Sequence, residues 1–383
     1  PYKWPTISVL LEKNLSELVD NIVFVSVKLS DEKIIETFYK ENKYYNLIPA
    51  SKINKINNLI TNLRNKYIMK NVAESMINDK KIDIIIVRNG ILEGYIGLYL
   101  RRKYNIPVVF MLTDLPYYYH LLDLKKGIKH FLKYIKASFE EILTKNIIKR
   151  ADMLSSTNGI SKFYSKKIKI RSTHSLKSAA PTSFIHFDKK PSYDSKNLIV
   201  SFGTIAPERN PTFLLKVVDK IKENKLFDVK LHIIYRDKNE LHSDSLRKTI
   251  KSMNLEKQIE LIENIEYSEM PKYVSKANLS ISAIPPVLSY KLSTPIKVIE
   301  SLSVGIPVVA NSEIIDQKNV LLKSKGGILT RYNVNEFAKA VEWLLAHPPM
   351  AEVMGQRGKI WIKKHRSHKI EANFFHRTLE NLL

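Results

Sequence analysis

Hydrophobic and polar positions alternate between two patterns along this chain. Short apolar runs of strand length are followed by longer segments whose apolar residues recur three or four positions apart. Strands covered on both faces and amphipathic helices produce these patterns, so we expect parallel sheets in doubly wound α/β domains. In the first half, strands are expected at 21–27, 82–87, 107–112 and 153–156, and helices at 6–18, 32–41, 53–78, 91–104 and 125–150. In the second half, strands are expected at 198–202, 229–235, 259–262, 279–283, 306–310 and 327–330, with helices near 210–224, 239–253, 268–276, 295–304 and 335–346 and over 349–382.

The most informative segment is 293–310, which combines a polar loop, a short helix, a glycine stop and a buried strand. Pro295 suits the first turn of the helix, where a missing N–H costs nothing. A helix N-terminus that follows a strand edge attracts anions, and Lys297 strengthens this attraction. Glu300 lies three residues later on the same face, where its carboxylate can hold two sugar hydroxyls. The segment therefore favours a nucleotide-sugar site.

This segment resembles the donor-site signature of the family 4 retaining glycosyltransferases of GT-B fold. The shared pattern over 295–310 is Pro, any, Lys, any, any, Glu, a small-residue helix end, Gly, any, Pro-Val-Val. The resemblance implies an α/β protein with two Rossmann-like, doubly wound domains that face each other across a cleft. It implies an N-terminal acceptor-binding domain at 1–185, onto which 366–383 cross back, and a C-terminal nucleotide-sugar-binding domain at 186–365.

The linker and the chain start refine this division. Residues 178–197 contain two prolines and several serines, which is typical of a connection between domains. Domains of this family open with a strand, whereas 6–18 already carry the apolar stripe of a helix. We therefore expect that the first strand of the N-terminal domain precedes Pro1; the alternative is that the domain lacks this strand.

A second motif follows the strand at 198–202. The family has a Gly, an Arg and, five residues later, a Lys; this chain has Gly203, Thr204 and Arg209. The resemblance implies that Arg209 and Lys297 neutralise the leaving diphosphate and that Glu300 holds the ribose of the donor. Arg209 could instead be an exposed residue at a helix start. Neither a metal ion nor a cofactor is expected beyond the nucleotide-diphosphate sugar, which serves as co-substrate.

One position departs from the family. A Glu that usually contacts the donor sugar is replaced by Leu292. The neighbouring Ser293, Thr294 and Ile296 can still offer hydroxyl and N–H groups to phosphate or sugar, so we count them among the donor-binding residues.

Candidate residues in the N-terminal half follow the strand at 107–112. Asp114 could orient an acceptor hydroxyl or act as a weak base, and His120 competes for this role. A helix N-cap is an equally good interpretation of Asp114. His365 and His368 lie among lysines and arginines and are expected to be solvated, without a role as metal ligands.

The net charge of +24, most of it in the first half, fits a nucleic acid, an anionic membrane surface, a phosphorylated substrate or simply a basic solvated surface. The predicted helix at 125–150 carries lysines beside an apolar stripe, which suits the interface of an anionic bilayer or packing on the sheet. The stripe consists of Ile128, Phe131, Leu132, Ile135, Phe139, Ile142, Leu143 and Ile147. The chain has no Cys and no apolar run long enough to span a bilayer, so we expect a cytoplasmic protein, peripheral on the inner face of the membrane.

The sequence therefore predicts a metal-independent, retaining hexosyltransferase of glycan biosynthesis. It would move a sugar from a nucleotide-diphosphate donor to a lipid-linked or membrane-proximal saccharide acceptor. A non-catalytic GT-B subunit is the first alternative because of Thr204 and Leu292. A basic nucleic-acid-binding protein is the second, but no recognised motif of that class accompanies the charge, so no nucleic acid is expected as a partner.

Overall fold

The structure is a computed structural model that describes residues 14–19, 22–28, 36–40, 43–49, 58–79, 82–113, 115, 128–187, 197–235 and 240–383. The chain divides into two compact units. The first contains Pro1–Leu176 and Glu371–Leu383, and the second contains Lys177–Ile370. The sequence predicted limits at residues 186 and 365. The second unit instead begins earlier, at Lys177, and ends later, at Ile370.

The first unit contains two sheets. Its strands are β1 (Ile22–Lys28), β2 (Glu36–Lys40), β3 (Lys43–Pro49), β4 (Ile85–Arg88), β5 (Val108–Leu112), β6 (Met153–Ser156) and β7 (Thr173–Ser175). Strands β4, β5, β6 and β7 form a parallel sheet in this order. In the other sheet, β3 lies between β1, to which it is parallel, and β2, to which it is antiparallel.

The strand β2 corrects the helix predicted at 32–41. Its sequence, Glu-Thr-Phe-Tyr-Lys, is rich in β-branched and aromatic residues, which favour a pleated strand over a helix. The helices of this unit are α1 (Asn58–Asp79), α2 (Ile91–Tyr104), α3 (Ile128–Arg150) and α4 (Asn158–Ser165). Helix α4, which we did not predict, is capped by the Thr157 hydroxyl, which accepts a hydrogen bond from the Ile160 N–H.

The second unit is built around one sheet of six parallel strands. They are β8 (Leu198–Gly203), β9 (Lys230–Tyr235), β10 (Ile259–Glu263), β11 (Leu279–Ser282), β12 (Val308–Asn311) and β13 (Gly327–Thr330). Their spatial order is β10-β9-β8-β11-β12-β13, which is the order of a Rossmann fold. In such sheets ligands bind beyond the carboxyl ends of the strands where the order reverses, here between β8 and β11.

Helices cover this sheet, and the last helix of the chain contributes to the first unit. They are α5 (Thr182–Ile185), α6 (Thr212–Asn224), α7 (Glu240–Ser252), α8 (Met270–Val274), α9 (Leu288–Lys291), α10 (Ile296–Ser303), α11 (Ile315–Ser324), α12 (Val334–Ala346), α13 (Pro348–His365) and α14 (His368–Glu380). Helices α6 and α12 pack on the sheet around a core that includes Val217, Val309 and Phe337. Apolar burial on both faces explains why these strands read as continuous hydrophobic runs.

The break between α13 and α14 differs in one respect from the sequence expectation. His368 is buried rather than solvated, and burial lowers the pKa of its imidazole to about 4. Arg366 is also buried and donates to the Asp316 carboxylate at 2.6 Å. Basic residues predicted as a solvated face are thus partly enclosed at this break.

Helix α14 supplies apolar residues to the core of the first unit. Phe375, Ala372 and Leu379 belong to the same buried cluster as Val109 and Met153 of the sheet. This cluster ties the end of the chain to the first unit.

We expect Phe375→Ala to lower the free energy of unfolding of the first unit by about 4 kcal/mol, because it opens a cavity beside β5. Denaturant unfolding measures this change. Phe374→Ala on the same helix is the matched control, since the Phe374 side chain is 46% exposed and should cost much less. Equal effects of the two substitutions would contradict the burial of Phe375.

Candidate functional site

The carboxyl end of β8 lies directly against Lys297. Gly203, the last residue of β8, has φ +129°, a backbone conformation that residues with a Cβ rarely adopt. A Cβ built on Gly203 would come within 2.7 Å of Lys297 Cε and 3.1 Å of Nζ. Glycine therefore allows the lysine to cross the end of the strand at the point where the sheet order reverses.

Helix α10 places Lys297 in its first turn. The helix begins at Ile296, so Pro295 is its N-cap and not, as we expected, a residue of the first turn. The first N–H groups of a helix have no partner inside the helix, and they carry partial positive charge. Together with the ammonium of Lys297, these groups form an anion-binding end. Gly305, with φ +81°, follows the helix end and precedes β12.

The loop before α10 is held by side-chain and backbone hydrogen bonds. The Ser293 hydroxyl donates to the Tyr290 carbonyl at 2.8 Å, and the Ser178 hydroxyl donates to the Thr294 carbonyl at 2.5 Å. Further upstream, in the segment that follows β11, the fully buried Asn311 side chain accepts from the Ile284 N–H at 2.9 Å and donates to the Ile284 carbonyl at 3.0 Å. The Ser293 hydroxyl therefore positions the loop, while Thr294 and Ile296 stay partly exposed beside the helix end.

Lys297 and Glu300 are opposite charges in a poorly solvated environment. Burial and, to a smaller extent, the charge of nearby Arg209 lower the pKa of Lys297 to about 8, while Glu300 opposes the shift. Burial raises the pKa of Glu300, which is only 3% exposed, to about 7. A hydrogen bond from Tyr267 and the charge of Lys297 act in the opposite direction. Both groups therefore titrate close to neutral pH.

Arg209 approaches the site from the loop after β8. It ends a short 3-10 turn, Pro207–Arg209, and its guanidinium carbon lies 4.1 Å from the centre of the buried Tyr290 ring. This cation–π contact fixes a partly buried arginine, in contrast to the exposed helix-start residue of the alternative interpretation. Because Arg209 lowers the pKa of Lys297, the two cations repel each other when no anion lies between them. An anion bound at this end of the sheet would relieve that repulsion.

The sequence did not single out two tyrosines as members of this cluster. Tyr267 follows β10 and donates its hydroxyl hydrogen to Glu300 Oε1. Its ring packs 5.5 Å from that of Phe184, and burial raises the pKa of its hydroxyl. Tyr290 lies under Arg209. An aromatic residue in a loop after a parallel strand is the only sequence signal for Tyr267, and it does not name the partner.

We expect Tyr267→Phe to raise the pKa of Glu300 above about 7, because the hydrogen bond that stabilises the carboxylate is lost. If ionised Glu300 binds the expected nucleotide, acidification should weaken nucleotide binding at a higher pH in the variant than in the wild type. The affinity at alkaline pH should change little. Calorimetric titrations over a pH series measure this shift. Tyr273→Phe, at a half-buried tyrosine of α8, is the control. An unchanged acidic limb in Tyr267→Phe would rule out a positioning role for Tyr267.

The remaining candidates occupy different environments. Thr204 is exposed, and Leu292 is buried at 8% exposure, so its side chain packs inside the unit. Asp114 and His120 lie outside the described residues. Their neighbour Thr113 is held by Asn89, whose side-chain oxygen accepts from the Thr113 N–H at 2.8 Å. Among the residues that the structure describes, no group of three His, Asp or Glu side chains could hold a metal ion.

Comparison with known proteins bears directly on this unit. Residues 183–361 match the family model described as glycosyl transferases group 1. The match contains Gly203, Arg209, Lys297 and Glu300 and nearly all of the six-stranded sheet with its helices. No curated protein sequence matches the chain.

Solved structures are similar over both units. Sucrose-phosphate synthase from Thermosynechococcus elongatus is 13% identical, with a TM-score of 0.75 over 97% of this chain and 91% of that chain. The trehalose 6-phosphate synthase of Burkholderia multivorans is 9% identical, with a TM-score of 0.70 over 100% and 94%. HepE of Anabaena, solved in complex with UDP and glucose, is 12% identical, with a TM-score of 0.63 over 89% and 87%. These likenesses show the GT-B type of α/β fold and confirm the predicted fold class.

Among the described residues, no helix has the length and apolar character needed to cross a membrane.

Proposed function

We propose that this protein transfers a sugar from a nucleotide-diphosphate donor to a saccharide acceptor, with retention of the anomeric configuration. The observation that carries the proposal is the contact of Lys297, in the first turn of α10, with Gly203 at the end of β8. It brings an ammonium, Arg209 and free helix N–H groups to the part of a Rossmann-type sheet where dinucleotides and nucleotides bind.

Each of the four polar groups of the site has its own role in donor binding. Lys297 and Arg209 hold the diphosphate, the first at the helix end and the second from the loop after β8. Ionised Glu300 accepts hydrogen bonds from the two ribose hydroxyls, and Tyr267 fixes its orientation. Thr294 and Ile296 contribute contacts beside the diphosphate. HepE, a protein of similar fold, was solved in complex with UDP and glucose, which supports the proposal of a nucleotide donor for this chain.

In the proposed reaction, the bond between the anomeric carbon and the diphosphate oxygen breaks. The acceptor hydroxyl oxygen forms the new bond on the same face of the sugar, and its proton passes to the departing phosphate oxygen. Lys297 and Arg209 neutralise the charge that develops on the diphosphate, so the proposal requires no metal ion. Asp114 stays a predicted acceptor-side residue of the first unit.

The proposed acceptor is inferred from the net charge of the chain. The net charge of +24 favours an acceptor that carries phosphate, as a lipid-linked saccharide does. We therefore propose a role in glycan biosynthesis in the cytoplasm, at the inner face of the membrane.

Turnover tests the proposal without knowledge of the acceptor. The protein is incubated with a panel of UDP- and GDP-sugars, with and without a metal chelator, and proton NMR follows slow donor hydrolysis. Release of the sugar first as the donor's own anomer, at equal rates in both conditions, is the predicted result. Release of the opposite anomer would contradict retention, and a rate abolished by the chelator would contradict metal independence.

A non-catalytic GT-B subunit is the second candidate, favoured by the burial of Leu292 where the family places a sugar-contacting Glu. Such a subunit would bind the nucleotide but turn over none of the donors, even when membrane extracts supply acceptors. Turnover that is lost in Lys297→Ala would exclude it.

A further inference from the structure

Helix α3 of the first unit has two apolar sides, and the larger one faces outward. The side chains of Phe131, Leu132, Phe139 and Ile142 are 60 to 63% exposed, and that of Ile135 is 49% exposed. At about 100° per residue, these five positions lie within about 100° of one another around the helix. We call these five residues the outer stripe. It spans about 16 Å along the helix axis.

The inner side of α3 is already packed. Ala137, Thr144, Ile147 and Ile148 are buried, and they lie on the opposite side of the helix from the outer stripe. The interpretation in which the whole stripe packs on the sheet is therefore wrong for the outer five residues, whereas Ile147 is buried and lies against Gly94 of α2. An amphipathic helix normally exposes its charged side, so an exposed row of large apolar residues marks a binding surface.

The exposed charged residues of α3 from Phe131 onward all have the same sign. From Phe131 onward, every exposed residue of α3 is apolar, aromatic, an amide or basic; the basic ones are Lys136, Lys149 and Arg150. The two acidic residues of the helix are partly buried, and each lies within ion-pair distance of a lysine of the same helix. Glu140 lies 3.9 Å from Lys136, and Glu141 lies 3.0 Å from Lys145.

We propose that the outer stripe of α3 inserts into the interface of an anionic lipid bilayer. Apolar side chains of this length enter the boundary between head groups and acyl chains, while the basic residues at the border contact lipid phosphates. Charge complementarity favours lipid over a second copy of the chain, because two copies would bring basic borders together in a protein of net charge +24. The inference goes beyond sugar transfer, and it does not depend on the donor site.

Vesicle sedimentation tests the surface. Vesicles of phosphatidylcholine with about 30% phosphatidylglycerol are mixed with the wild type and with the double variant Phe131→Ser/Phe139→Ser, in the absence of any nucleotide. We expect the wild type to bind and the double variant to bind at least about tenfold more weakly, since two phenyl rings leave the apolar phase. Pure phosphatidylcholine and high salt should weaken wild-type binding because the basic border loses its partner.

The control variant is Leu226→Ser/Ile360→Ser, which removes two apolar side chains that are each 67% exposed on the second unit. Its vesicle binding should equal that of the wild type. Circular dichroism melting checks that both variants fold, and calorimetry with UDP and GDP should find donor binding unchanged in Phe131→Ser/Phe139→Ser. Failure of nucleotide binding would affect only the proposed donor site, whereas failure of vesicle binding would affect this surface and the proposed membrane location but not the donor site.

Three results would overturn the proposal. They are a wild type that stays in solution with anionic vesicles, a double variant that binds as tightly as the wild type, and a wild-type dimer in sedimentation equilibrium that the double variant loses. The last result would assign the outer stripe to a second copy of the chain.

Discussion

Replacing Lys297 by methionine is expected to lower the affinity for a nucleoside diphosphate by about 100-fold, the scale of a charge-assisted hydrogen bond at a buried site. Methionine preserves the length and apolar part of the side chain, so Gly203 and α10 keep their packing. What disappears is the cation that lies across the end of β8. Calorimetric titration measures the loss directly.

The same variant should keep or gain stability. Burial lowers the pKa of Lys297 to about 8, so below that pH the folded protein holds a cation that water would solvate better in the unfolded chain. The wild-type contribution of Lys297 is thus least favourable at acidic and neutral pH and improves as the pH rises above 8. Methionine removes this cost, and the melting temperature at neutral pH should not fall. Lys318→Met, at an exposed lysine of α11, should change neither affinity nor stability. Full nucleotide affinity in Lys297→Met would remove the basis of the proposed diphosphate site.

Replacing Glu300 by glutamine is the second substitution with a large expected effect. The amide is close to the carboxylate in shape but offers one acceptor oxygen in place of two, and it carries no charge for the ribose hydroxyls. We expect the affinity between about pH 7 and pH 8 to fall about 30-fold, because hydrogen bonds to a buried charged group are lost.

The pH dependence separates this role from a structural one. Burial raises the pKa of Glu300 to about 7, so the wild type should lose nucleotide affinity as acidification protonates the carboxylate. Glu300→Gln should not show this acidic limb, the loss of nucleotide affinity on acidification. Glu342→Gln, at a buried carboxylate of α12 that accepts from Asn224, is the control and should keep it. An acidic limb that persists in Glu300→Gln would show that another group titrates.

The free energy of unfolding should depend on pH in the opposite sense to the nucleotide affinity. Because the folded-state pKa of Glu300 lies above its unfolded value, its contribution to stability is largest at low pH and is lost as the pH rises through about 7.

The sequence predicted the second unit well because its signals are local. Strands such as β8 and β12 are apolar runs buried on both faces, and α10 is bounded by a proline and a glycine in 293–310. The β2–β3 pair was missed because short strands of mixed polarity resemble helical periodicity over so few residues.

The site was predicted less completely because several of its contacts are long-range. Glu300 and Lys297 are three residues apart in one helix, and Gly203 could be tied to them only through the family resemblance. The Tyr267–Glu300 hydrogen bond joins residues 33 positions apart, and no spacing rule anticipates it. The burial of His368 likewise depends on tertiary packing, which a run of basic neighbours conceals.

The outward direction of the apolar stripe on α3 shows the same limit. Periodicity identifies a helix with apolar residues at helical spacing, but it does not say which of two apolar sides packs inward. The small residues Ala137 and Thr144 lie inside, while the phenylalanines lie outside. Size alone would have predicted the reverse.

The central claim is that Lys297, Arg209 and Glu300 form a nucleotide-diphosphate site at the end of β8. Calorimetric titration of the folded wild type with UDP and with GDP tests it most directly. Micromolar binding of one of them, strongest between about pH 7 and pH 8 where Glu300 is ionised and Lys297 is still charged, is the predicted result. Absence of binding by either nucleotide across this range would contradict the account.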